Sequence, residues 1–246
     1  MVKTKTTIIL LLLIIALGLF LRLYRINYAP PGIYPDEAVN GMDALTVAKT
    51  GHFQLFYPAN NVREGLFINV MALGFKLLGV SILTLKLPTI LFGTLTIWGI
   101  YLLAQETFNR RVGLISSFLV AVSFWPLNFS RIAFRAMAVP AILVFSFYFL
   151  FRGLRTKKWT DFALGGFIFG LGIHTYIAAR ITPLILMVGL FFFILAYSNF
   201  LKIYWKHLIV FSLFSFLSAF PMFYTFFYSH PEYWQSRTSE ISILNP

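Results

Sequence analysis

Two adjacent carboxylates, Asp36 and Glu37, follow the run Tyr28-Ala-Pro-Pro-Gly-Ile-Tyr-Pro. The prolines and Gly32 break helix and fix a turn, so Asp36 falls at a helix start with Glu37 in its first turn. A carboxylate held there can take the proton of a hydroxyl. Further on, Arg63 and Glu64 put a cation beside an acid. Arg131 and Arg135 stand four residues apart and share one helical face. His174, Tyr176 and Arg180 form a third group, and His230 and Arg237 lie in the C-terminal tail. Arginines in such sets suit an anion, above all a phosphate, through bidentate contacts. Each group also has a plainer reading. Asp36 fits a helix N-cap and Glu37 complements the helix dipole. Glu64 fits a capping carboxylate beside a surface arginine. Arg131 and Arg135 fit snorkelling side chains, and His174 and Tyr176 fit an interfacial aromatic belt. The tail fits a solvated segment.

The elements that must position these residues are membrane helices. The 246-residue chain is 59% hydrophobic and 11% charged, with 29 phenylalanines and a mean hydropathy of +0.81. Soluble domains carry about 25% charged residues. A net charge of +12 raises nucleic acid as a partner. The basic residues form short clusters between apolar runs, the pattern of membrane topology, and this excludes it. Cysteine is absent, so there is neither a disulfide framework nor a thiolate metal site.

A span needs roughly 20 mostly apolar residues. The stretches 7–24, 87–105, 112–128, 137–152, 161–178, 182–199 and 208–228 meet this need. The first has the shape of a signal peptide, but its apolar run continues past Ala16-Leu-Gly18 without a polar break. It reads as a retained helix. Residues 65–80 are short and contain Asn69 and Lys76. If they spanned, Arg110-Arg111, the cluster Arg152 to Lys158, and Lys202 with Lys206 would all lie outside, against the positive-inside rule. They are therefore read as an interfacial helix.

The expected fold is all-α: a polytopic helical bundle of about seven spans, one module over residues 1–246. The N-terminus is cytoplasmic. An outer loop covers about 25–86, and an outer tail covers 229–246. All the groups named above then gather on the outer side. Topology does not demand arginines there, and an anionic ligand in the outer leaflet accounts for them.

The ordered set carries a resemblance. A first span leads to a loop with Pro35-Asp-Glu-Ala38, then Arg63-Glu-Gly65 and an interfacial helix. Leu85-Lys-Leu-Pro88 enters the second span, followed by Asn109-Arg-Arg-Val-Gly113 and Phe129-Ser-Arg131. This resembles the GT-C membrane glycosyltransferases, in the branch of bacterial protein mannosyltransferases and lipid A aminoarabinose transferases. The similarity runs along essentially the whole chain, although no single motif is specific. Members usually continue into further spans, so the resemblance implies a fragment or a short member that needs a partner.

The resemblance implies a sugar donor on a polyprenyl phosphate and a lipid, glycan or protein acceptor, in a bacterial or archaeal plasma membrane. It implies Asp36 as the catalytic carboxylate with Glu37 beside it. Arg63, Glu64, Arg131, Arg135, His174, Tyr176, Arg180, His230 and Arg237 are then the substrate-binding set. The resemblance fixes no cofactor and leaves a divalent metal open, since some members hold one at the position of Glu64. The leaving group is already a stable anion, so only the acceptor needs a base, and attack opposite the phosphate inverts the anomeric centre. Two other classes stand beside this one. A transporter would place ionisable residues near the midplane, where these spans have almost none. A non-catalytic lipid-binding scaffold would look the same in sequence.

Overall fold

The computed structural model describes residues 4–60 and 62–232. Ten α-helices account for most of them. They are α1 (Thr4–Leu23), α2 (Pro35–Thr50), α3 (Gly65–Leu78), α4 (Ile82–Thr107), α5 (Arg110–Val122), α6 (Phe124–Arg131), α7 (Ala138–Thr156), α8 (Trp159–Leu171), α9 (Thr182–Ala196) and α10 (Phe200–Tyr224). The fold is an all-α polytopic bundle, with one small addition that the sequence pattern did not announce. Residues Phe56–Tyr57 (β1) and Arg63–Glu64 (β2) pair antiparallel, with Phe56 opposite Glu64.

Local chemistry starts and stops these helices where the chain must turn. In α2, Pro35 takes the first helical position, where its missing N–H costs nothing. Glu37 reaches back to accept the Tyr34 N–H at 2.8 Å. Gly51 ends the helix at φ 75°, a left-handed conformation that favours glycine. At α4, Ser81 Oγ accepts the Thr84 N–H and Thr84 Oγ1 accepts the Ser81 N–H, a reciprocal cap. Asn109 caps α5 through the N–H groups of Arg111 and Val112.

Five helical segments are long and apolar enough to cross a membrane, and the pair α5 and α6, bent by 52°, makes a sixth. The expected seventh, 161–178, falls short. Its helix α8 has 13 residues and rises ~20 Å, against a hydrocarbon core of ~30 Å. The reason is packing. A Cβ on Gly166 would meet the Phe211 carbonyl oxygen at 2.0 Å, and one on Gly170 would meet that of Ser215 at 2.1 Å. The glycines let α8 lie directly on the backbone of α10, and the helix then breaks into a 3-10 turn at Gly172–His174.

All seven expected segments still run as passes between two ends of the bundle. At one end Arg110 reaches Thr4, Arg155 pairs with Glu106 and His207 meets the Lys157 carbonyl. At the other end Arg131 reaches the last turn of α1. There Lys86 near the start of α4 faces Glu37, and Arg180 faces Glu64. Residues 25–81 therefore leave and return at the same end. Helix α3, with 14 residues, is not a pass. It buries Phe67, Ile68, Met71, Ala72 and Phe75, a helical stripe, in a cluster with Ala44 and Val47 of α2, Leu85 of α4 and Ala133.

Candidate active site

The end of the bundle opposite the basic turns holds the sequence-expected polar groups. Its centre is Glu64. This residue precedes α3 in extended conformation but makes no capping bond to it. Its carboxylate accepts from Arg135 Nη1 at 2.8 Å and lies 3.9 Å from Arg180 Nη2. The side chain is 2% exposed. Strand β2 sets Glu64 from one side. A 3-10 turn at Arg135–Met137 sets Arg135, and a second at Ile177–Ile181 sets Arg180. Tyr176 stacks under Arg135 at 5.5 Å, and Phe226, just beyond α10, under Arg180 at 5.4 Å. Four stretches far apart in sequence thus converge on two guanidiniums and one carboxylate, a local excess of one positive charge.

Asp36 sits at the second position of α2, half-buried, and accepts from Asn60 Nδ2 at 3.1 Å. It is not the N-cap, a position taken by Tyr34. Glu37 is 1% exposed and wholly engaged. One oxygen takes the Tyr34 N–H and the other takes the Ala133 N–H and faces Lys86. Of the two adjacent acids only Asp36 keeps an approachable carboxylate. The Glu37–Ala133 bond brings the first turn of α2 against the segment that leads, two residues later, to Arg135.

Three expected ligands have structural partners. Arg63, 1% exposed, donates to the Ala59 carbonyl at 2.9 Å, to Asn40 Oδ1 at 2.7 Å and to Asp43. It ties the hairpin to α2 and is not a surface arginine. Arg131 donates to the carbonyls of Leu21, Arg22, Tyr24 and Ala29. It closes the end of α1 and does not snorkel. His174 Nε2 lies 2.9 Å from the Ser218 carbonyl oxygen, joining the end of α8 to α10. His230 pairs with Glu232 at 3.1 Å and packs edge-on against Phe56, at the margin of the Glu64 group. Arg237 lies outside the described residues.

Sequence reading missed two buried cations. Lys86 and Arg22 are both 0% exposed. The signal was present for Arg22, since a charged residue within a span is a functional hypothesis by default; Lys86 fell at the end of the outer loop. Among the described residues no group of three or more histidines and acids gathers as metal ligands. Glu64, with two guanidiniums on its carboxylate, does not fit a divalent cation.

From Arg180 an apolar cleft of about 360 Å³ runs between α8, α9 and α10, lined by Ile173, Leu186, Phe211, Phe216 and Phe223. A second cleft of about 370 Å³ shares Leu186, Met187, Phe211 and Ser212 with it and continues along α9 to Phe193 and Phe200. Helix α9 is the wall that packs least, with 11% of its apolar window buried.

No curated protein matches the chain. The family model of dolichyl-phosphate-mannose-protein mannosyltransferases matches residues 66–224. The matched stretch contains Arg131, Arg135, His174, Tyr176 and Arg180, and it begins just after Glu64. Asp36 and Glu37 precede it. Since the match covers more than half of an apolar helical chain, this integral membrane protein belongs to the dolichyl-phosphate-mannose-protein mannosyltransferase family, membrane glycosyltransferases of the GT-C type.

Proposed function

We propose that the chain moves a sugar from a polyprenyl-phosphate donor to an acceptor hydroxyl on the outer face of the membrane, with inversion. The observation that carries this reading is Arg180, which belongs both to the charged Glu64 group and to the head of the apolar cleft along α9. A ligand with a phosphate head and a long isoprenoid tail matches that pairing of cation and groove. Asp36 takes the proton of the acceptor hydroxyl. The acceptor oxygen forms a bond to the anomeric carbon while the bond from that carbon to the phosphate oxygen breaks. The electron pair stays on the phosphate, where Arg180 and Arg135 meet the growing charge. Glu64 holds the two guanidiniums in register, and the acceptor is a lipid, glycan or protein.

Arg180→Ala tests the reading. In transfer from a radiolabelled polyprenyl-phosphate sugar, kcat/KM should fall by ~10²-fold or more, with the donor KM raised as well, because a fixed cation acts in both ground and transition states. A wild-type kcat/KM in that variant would remove the phosphate site from Arg180. The side of the membrane is tested separately. Cysteines placed at the exposed positions Thr50 and Lys158 should label from opposite faces of intact cells, Thr50 from outside. Labelling of both from outside would sink this orientation.

A further inference from the structure

We propose that Lys86, acting through Glu37, is a positioning residue that holds the Asp36 turn of α2 against the arginine-bearing segment after α6. The proposal rests on the reading of Asp36 as the base. Lys86 is fully buried near the start of α4. Its Nζ has no hydrogen-bond partner among the described residues and faces Glu37 Oε1 at 3.9 Å. A lone ammonium in an apolar bundle is costly, so Glu37 is the group that makes Lys86 tolerable there. Glu37 in turn is fixed at three points, by the Tyr34 N–H, the Ala133 N–H and Lys86.

These three points belong to three different parts of the site. Tyr34 opens the turn that carries Asp36. Ala133 leads into Arg135, the partner of Glu64. Lys86 belongs to α4, a rigid pass whose neighbour Leu85 packs with Ala44, Val47 and Ala133. Gly41 of α2 lies so close to Leu85 that an added Cβ would come within 2.8 Å of its Cδ1. Glu37 is therefore the joint, and Lys86 the charge that keeps its carboxylate turned inward. Without that charge the joint loses its electrostatic anchor. The base and the phosphate-binding arginines then lose their fixed separation, and a displacement of about 1 Å at a reacting geometry costs up to ~10²-fold in rate.

The test uses Lys86→Met, Lys86→Arg and the double variant Glu37→Gln/Lys86→Met, with wild type and Asp36→Asn alongside, in the full chain reconstituted in nanodiscs. Rates are expressed per folded molecule, from the monodisperse fraction and the thermal transition. Lys86→Met should lower kcat by ~10-fold to 10²-fold while the donor KM stays within about twofold. Lys86→Arg should recover most of that loss. The double variant leaves no charge alone, so it should fold well and still turn over slowly. It decides the matter if Lys86→Met does not fold. A purely structural role would scale the amount of folded protein and leave kcat per folded molecule at the wild-type value. That result in Lys86→Met, or in the double variant, overturns the proposal. Asp36→Asn at full rate would instead remove the base assignment beneath it.

Discussion

Asp36→Asn is expected to abolish sugar transfer while the protein folds and binds its lipid-phosphate donor as before. Asparagine is nearly isosteric with aspartate and still accepts a hydrogen bond from Asn60 Nδ2, the partner of this carboxylate among the described residues. It is not the helix cap, so α2 keeps its start and loses only one carboxylate charge near the positive end of its dipole. It cannot, however, take the acceptor's proton. Loss of a positioned base typically costs ~10²–10⁴-fold. The measurement is single-turnover transfer from a radiolabelled polyprenyl-phosphate sugar, with donor binding followed in parallel. Wild-type turnover in this variant would end the catalytic assignment. Glu37→Gln makes the contrast, since its loss should register first as a lowered thermal transition.

Arg131→Ala is expected to unfold much of the protein without touching the chemistry of what remains folded. A helix leaves its last four carbonyls without internal partners, and near lipid there is little water to satisfy them. One guanidinium meets the carbonyls of Leu21, Arg22, Tyr24 and Ala29, with the Tyr24 and Ala29 contacts at 2.7 and 2.6 Å. Hydrogen bonds to a charged group are worth about 1.5–3 kcal/mol each, and they are not additive. A loss on the order of 3 kcal/mol is reasonable for a set that is only half-buried. Arg131→Lys should rescue little, because a single ammonium cannot span four acceptors. Thermal unfolding in detergent, followed by size exclusion, reads the effect. A stable Arg131→Ala protein with weakened donor binding would return Arg131 to the phosphate site.

Much of this was legible in the residues. Apolar runs and basic clusters gave the passes and the end to which each turn belongs. They also kept residues 65–80 from being counted as a pass. Glycine spacing hid the shortness of 161–178. Gly165, Gly166, Gly170 and Gly172 lie within an apolar run, and nothing local shows that α10 lies against them. The site was legible as a list but not as a division of labour. Arg63, Arg131 and Arg135 have the same side chain on the same side. Which of them faces a backbone carbonyl and which faces Glu64 depends on contacts between residues about 20 to 110 positions apart. Asp36 and Glu37 are neighbours of the same chemistry, and only the fold of Ala133 onto Glu37 tells them apart. Lys86 was passed over because its partner is 49 residues away, in the long outer loop.

The early end of α8 has one more consequence. The passes beside it are longer, α7 having 19 residues and α10 having 25. The chain after Leu171 therefore turns at a level below the rim that its neighbours reach. That sets His174 beside the Ser218 carbonyl within α10, while Arg180 reaches on to Phe226 just beyond that helix. Backbone without helical bonding survives at that depth only against protein or water. The apolar walls of the cleft that begins at Arg180 focus its field instead of letting salt screen it. On the proposed reading, a phosphate head entering from the interface exchanges bulk hydration for the guanidiniums of Arg135 and Arg180. The proposed reaction is then expected to respond to the hydrophobic thickness of the surrounding membrane, which sets how far the headgroups lie from the turn that follows α8.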